Sequence, residues 1–74
     1  MTLHRTLMRL RLRDGLERLL DSDESLSTIA HEVGFSSHSH FTDAFRAEFG
    51  CAPSHARGAS ARVARDLRSV ISER

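Results

Sequence analysis

Residues 33–50 read Val33-Gly34-Phe35-Ser36-Ser37-His38-Ser39-His40-Phe41-Thr42-Asp43-Ala44-Phe45-Arg46-Ala47-Glu48-Phe49-Gly50. Phe41, Phe45 and Phe49 recur every four residues, the spacing that keeps side chains on one face of a helix. Ser36-Ser37 places a hydroxyl N-cap just ahead of this set and Gly50 closes it, so the stretch predicts a helix over 37–49. All four Phe of the chain fall within fifteen residues. Such a stripe is read as core rather than as an aromatic binding platform. Before Phe35, Gly34 stands where a left-handed glycine ends a helix, and Leu26, Ile29, Ala30 and Val33 form the apolar stripe of a shorter helix over 26–33, capped by Ser25 or Ser27.

Working outward, Leu3, Leu7, Leu10, Leu12, Leu16, Leu19 and Leu20 follow helical steps of three and four with one doubled position, which predicts a long N-terminal helix over 3–20. Gly15 lies inside it at a cost of up to about 1 kcal/mol relative to Ala, so that turn is expected to pack closely against another element. Asp21 to Ser25 is a polar connection. Downstream, Pro53 suits the first turn of a further helix that Ser54 to Arg57 continue. Gly58 and Ser60 interrupt it, after which Val63, Leu67, Val70 and Ile71 predict a terminal amphipathic helix. Strand-like alternation, internal repeats and low-complexity tracts are absent from the sequence. The expected fold is all-α, a helix-turn-helix bundle of three to five helices of homeodomain-like type, with a long N-terminal linker helix.

With 74 residues the chain has room for one small core and none for a dinucleotide fold or a remote catalytic triad. Its apolar runs fall far short of the roughly 20 residues that cross a bilayer, which predicts a cytosolic protein with no membrane contact. A single cysteine, Cys51, excludes an internal disulfide and a multi-Cys zinc site. The formal net charge of +1 conceals a pattern: residues 1–20 carry five Arg against Asp14 and Glu17, a net of +3, whereas residues 21–35 carry Asp21, Asp23, Glu24 and Glu32, a net of −4. Residues 36–57 balance and 58–74 return to +2. All eleven basic residues are Arg. That suits bidentate phosphate or guanine contacts and follows equally from the base composition of the coding genome.

Two short helices joined by Val33-Gly34-Phe35-Ser36 fit the pattern of a DNA-binding helix-turn-helix. At about 100° per residue, Phe41, Ala44, Phe45 and Glu48 share one side of the predicted helix, Ser39, Asp43 and Arg46 lie opposite, and Thr42 and His40 occupy the flanks. The outer side is polar and small, and helix N-terminal N–H groups favour a phosphate. A plain three-helix bundle with a solvated outer face fits the same pattern.

Arg11-Leu12, Leu19-Leu20, Ile29-Ala30, Val33-Gly34-Phe35, Phe41, Phe45-Arg46, Phe49-Gly50 and Pro53 with Arg57 after it resemble the C-terminal signature of AraC/XylS-type transcription regulators. The likeness runs from about Leu3 to Arg57. It implies bacterial transcription control without enzymatic activity, with double-stranded DNA as partner. Residues 3–20 look like the linker between two helix-turn-helix units, 26–33 like the supporting helix of the second unit and 37–49 like its recognition helix. On that likeness Ser37, His38, Ser39, His40, Thr42 and Arg46 face DNA, with Arg46 the best placed for a phosphate or guanine. Asp43 departs from the basic residue often found at its position: either it accepts from a cytosine amino group or it repels phosphate. The family carries two such units in roughly a hundred residues, and this sequence resembles the second, with Met1 to Arg5 at the join. It is accordingly expected to be a half domain that binds weakly by itself. The expected division is 1–57, linker helix plus helix-turn-helix, and 58–74, a helical tail. No cofactor and no small-molecule ligand is expected, because no ligand-sensing segment is included.

Other chemistries are weaker. His38 and His40, at i and i+2, lie about 200° apart on a helix and cannot chelate one ion together. Cys51 and His55 are separated by Pro53 in a turn and have no further Cys to complete a site, and a Cys–His nucleophile needs a cleft that so small a core does not offer. Cys51 is read as buried or inert, His4 and His31 as surface residues, and Arg62, Arg65 and Arg68 as a solvated basic face. The alternative function is a helical dimerisation or adaptor fragment. The stripe Val63, Leu67, Val70 and Ile71 either folds back or meets a partner helix, and an exposed face of the first helix would allow self-association or contact with RNA polymerase.

Overall fold

A computed structural model describes residues 3–72. Met1 and Thr2 of the expected join, and the side chain of Ile71, lie outside the described residues. The chain runs through α1 (Leu3–Asp21), α2 (Leu26–Glu32), α3 (His38–Phe49), α4 (Pro53–Arg57) and α5 (Ala61–Ser72). α1 is the spine, packing against each of the other four helices, while α2 packs on α3 and α3 on α4.

Local chemistry sets the boundaries. Ser25 caps α2 by accepting the Thr28 N–H at 3.1 Å, which decides between Ser25 and Ser27. At the other end of α2, Phe35 N–H donates to Ala30 O at 2.9 Å and Gly34 N–H to His31 O at 3.2 Å. This is the paired closure of a Schellman motif, with Phe35 and Ala30 both in the core as its hydrophobic contact. It requires a positive φ, and Gly34 has +106°. A Cβ there would also lie 2.8 Å from Nε of Arg11, which crosses the turn from α1. Gly34→Ala is expected to cost about 1–2 kcal/mol, lowering the thermal midpoint by roughly 5–15 °C in a far-UV circular dichroism melt. Gly50 ends α3 in the left-handed region, its N–H donating to Arg46 O at 2.8 Å.

Leu12, Leu16 and Leu19 of α1, Ile29 and Ala30 of α2, Val33 and Phe35 of the turn, the α3 stripe Phe41, Phe45 and Phe49, Ala56 and Leu67 make one core. Phe35, Phe41, Phe45 and Phe49 run through it as a chain of rings with successive centroids 5.3, 5.7 and 4.5 Å apart. The tight packing expected at Gly15 is against α3: a Cβ there would stand 2.8 Å from Cε1 of Phe41. Arg9 and Glu48 form an ion pair at 2.9 Å. As the α1 partner advances from residue 9 to 15 the α3 partner retreats from 48 to 41, so the two helices run antiparallel where they meet.

The α1 leucines do not form one stripe. Leu3, Leu7 and Leu10 are exposed, whereas Leu12, Leu16 and Leu19 are buried. The step of two from Leu10 to Leu12 turns the side chain through about 200°, onto the opposite face. In α5 the stripe folds back: Leu67 is 6% exposed, Val63 and Val70 remain at the edge, and Arg68 donates to Glu17 at 2.7 Å and Asp21 at 3.1 Å of α1. This corrects the expectation of a solvated face for Arg68, while Arg62 and Arg65 are exposed as expected. Cys51 is half-buried, and His4 and His31 are exposed.

Candidate nucleic-acid interface

α3 is seated on α1 by Phe41 against Gly15 and by Glu48 against Arg9, with the closed turn at Gly34 fixing its entry. Burying the Phe41, Phe45 and Phe49 side turns Ser39, Asp43, Arg46 and Ala47 outward, all exposed. Ser37, at the N-cap, is exposed and its Oγ accepts the His40 N–H at 3.1 Å, so its hydroxyl hydrogen still points elsewhere. Phe41 N–H bonds Ser37 O at 3.1 Å. The N–H groups of His38 and Ser39 are the remaining orphan donors of this first turn, which contains no acid.

The other expected residues sit on the flanks. The His40 ring stands edge-on to Phe35 at 5.1 Å and 88°, with Nδ1 at 3.4 Å from Ser36 Oγ, so the imidazole leans over the turn. Thr42 is half-buried on the opposite flank and the least presented of the six. Arg46 is exposed and makes no ion pair among the described residues. Of the six, Ser39 and Arg46 thus lie along the exposed ridge, Ser37 and His38 are exposed at the start of the helix, and His40 and Thr42 lie to either side. Ala47 was missed by the sequence reading. Its signal was the same rotation that identified Ser39 and Arg46, and its small side chain lets another surface approach the backbone closely.

Away from this ridge most of the acids are paired with arginines. Arg18 pairs with Glu32 at 2.5 Å and Asp14 at 3.4 Å, and reaches Glu24 at 4.0 Å. The Glu32 hydrogen bond and the Asp14 charge hold its guanidinium pKa above the ordinary value. Arg68 takes Glu17 and Asp21. Of the acidic segment read at 21–35, Asp21, Glu24 and Glu32 are therefore met by arginines from α1 and α5. Between α1 and α3 lies a surface groove of about 350 Å³, lined by Met8, Leu12, Ala44 and Ala47 and bridged by the Arg9–Glu48 pair, where a sizeable pocket was not expected. Among the described residues no three His, Cys, Asp or Glu come together to hold a metal. None of the described helices is long and apolar enough to cross a membrane.

The family model described as "Helix-turn-helix domain" matches residues 1–59. The HTH-type transcriptional activator RhaS of Pectobacterium carotovorum subsp. carotovorum (strain PC1) is 49% identical over 57 residues, 77% of this chain and 20% of that protein. RhaS of Yersinia pestis (strain Pestoides F) is 40% identical over 71 residues, 96% of this chain and 22% of that protein. The HTH-type transcriptional regulator ExsA of Pseudomonas aeruginosa is 56% identical over 39 residues, 53% of this chain and 14% of that protein. The chain spans about a fifth of the length of the RhaS relatives. No solved structure matches it significantly. The closed turn between α2 and α3, the seating of α3 on a long first helix and the family match over 1–59 agree: the chain belongs to the AraC/XylS-type helix-turn-helix family.

Proposed function

We propose that the chain is the DNA-docking part of a bacterial transcription regulator, placing α3 in the major groove of double-stranded DNA. The observation that carries this is the ridge of α3: Ser39, Arg46 and Ala47 outward, small or unpaired, with the Schellman closure at Gly34 leading into the helix. Arg46 supplies the charged contact, to phosphate or to guanine O6 and N7. Ser37, His38 and Ser39 meet the backbone with hydroxyls and N–H groups at the helix start, and His40 and Thr42 reach from the flanks. Residues 1–57 form the docking unit, and the tail 58–74 carries α5 (Ala61–Ser72). Its work is binding in the cytoplasm, with no reaction catalysed. The exposed Leu3, Leu7 and Leu10 favour an additional protein contact, self-association or RNA polymerase.

The test is fluorescence anisotropy of a labelled mixed-sequence duplex titrated with the chain at about 50 and 200 mM salt. Saturable binding that weakens with salt is expected. Arg46→Ala is expected to weaken it roughly three- to tenfold and to lower the salt slope by about 1. Equal binding and equal slope for the variant overturn the assignment of Arg46, and no saturable binding by the folded parent overturns DNA docking.

A further inference from the structure

We propose that Asp43 is a specificity-determining residue of this interface, its carboxylate selecting a cytosine in the base pair next to the one contacted by Arg46. The inference rests on the DNA-docking reading and deepens it. Asp43 lies in the middle of α3, exposed, on the same outward ridge as Ser39, Arg46 and Ala47. Six other acids, Asp14, Glu17, Asp21, Glu24, Glu32 and Glu48, are held by arginines. Asp43, like Asp23 of the α1–α2 connection and Asp66 of α5, has no such partner among the described residues, and it alone of the three lies on the ridge.

Stability does not account for an acid there. An Asp helps a helix in its first turn, where it meets the positive end of the dipole, and Asp43 is past that turn. Mid-helix Asp is among the poorer helix formers. Arg46, one turn further on, is also free of ion pairs, so the two side chains do not neutralise each other and both are available outward.

What such a carboxylate can accept from is limited. In the major groove it is repelled by guanine N7 and O6 and by thymine O4, all acceptors, and attracted by cytosine N4. Adenine N6 also donates, but its N7 acceptor lies beside it, where a second carboxylate oxygen would be opposed. Cytosine is left as the base that offers a donor without an adjacent acceptor. Residues 43 and 46 are about 4.5 Å apart along the helix axis, close to the roughly 3.4 Å between base pairs. An acceptor at 43 and a forked donor at 46 therefore fit a cytosine and a guanine in neighbouring pairs. The same carboxylate repels phosphate, so it weakens docking on unmatched sequence and strengthens discrimination by penalty as well as by contact.

The experiment enriches a randomised duplex pool with the chain, Asp43→Ala and Asp43→Asn, sequences the bound fraction, and measures each protein's affinity for one mixed-sequence duplex. All three are first shown to have the same helical circular dichroism spectrum. The parent is expected to prefer cytosine roughly tenfold or more at one position beside a guanine that Arg46→Ala ceases to select. Asp43→Ala loses the cytosine preference and binds the mixed duplex about three- to tenfold tighter. Asp43→Asn moves the preference toward adenine, since an amide pairs with N6 and N7 together. An unchanged cytosine preference in both variants, or weaker mixed-sequence binding by Asp43→Ala, overturns the assignment of Asp43 while leaving DNA docking intact. No saturable binding by the parent at low salt overturns docking and this inference together.

Discussion

Replacing Phe45 by Ala is expected to lose about 3–5 kcal/mol, a large part of what a chain of 74 residues has to lose. Domains carry roughly 0.05–0.15 kcal/mol per residue, which for this length is about 4–11 kcal/mol. Phe45 is fully buried, and it stands between Phe41 and Phe49 with ring centroids at 5.7 and 4.5 Å. Truncation thus removes the middle ring of a continuous stack and opens a cavity that two neighbours on the same helix cannot swing into. Each kcal/mol shifts the melting point by about 4–8 °C in a domain this small, so a fall of roughly 15–30 °C is expected. Thermal circular dichroism at 222 nm checks it. Ser39→Ala on the opposite side of α3 stays within about 0.5 kcal/mol of the parent. A Phe45→Ala midpoint within 5 °C of the parent contradicts the core assigned to this stripe.

The parts of this structure legible in the sequence are those decided within a few residues. Ser25 and Ser37 cap helices whose acceptor–donor pairs span three positions, and Gly34 and Gly50 occupy the left-handed sites that close α2 and α3. The Phe stripe follows from a period of four, and the outward ridge with Ser39 and Arg46 follows from the same arithmetic. Contacts between elements were not legible. That Gly15 packs on Phe41 rather than on some other group depends on how α1 and α3 cross. The step from Leu10 to Leu12 marks a change of face, but only the placement of α2 to α5 decides which face is covered. Arg68 reads like Arg62 and Arg65 in sequence, and is distinguished by carboxylates of α1 some fifty residues earlier. The six residues expected at the interface divide the same way: the outward turn of Ser39 and Arg46 follows from helix rotation, whereas the lean of His40 over Phe35 and the half-burial of Thr42 come from packing.

Arg57 shows what such long-range contacts are worth. The sequence places it after Pro53 as a basic residue near a helix end. In the structure its Nε donates to Leu19 O at 3.0 Å, one terminal nitrogen to Glu24 O at 2.6 Å and the other to Ser22 O at 3.1 Å. Leu19 lies in the last turn of α1, where carbonyls lack a helical partner, and Ser22 and Glu24 belong to the connection leading into α2. One planar guanidinium thus satisfies three backbone oxygens and ties α4 to the α1–α2 corner, with its positive charge at the negative end of the α1 dipole. Arg57→Ala is expected to cost about 2–3 kcal/mol, because the bonds are charge-assisted and the Leu19 carbonyl is left in a part-buried place. For a chain this small a urea slope near 1 kcal/mol/M turns that into a midpoint lower by about 2–3 M. Arg57→Lys separates charge from geometry: an ammonium keeps the dipole interaction but cannot reach three carbonyls in the directions of the fork. Its midpoint is therefore expected to fall closer to that of Arg57→Ala than to the parent. If Lys restores the parent midpoint, the fork is not what holds the corner; if both variants match the parent in stability but bind the duplex more weakly, Arg57 is a DNA contact instead.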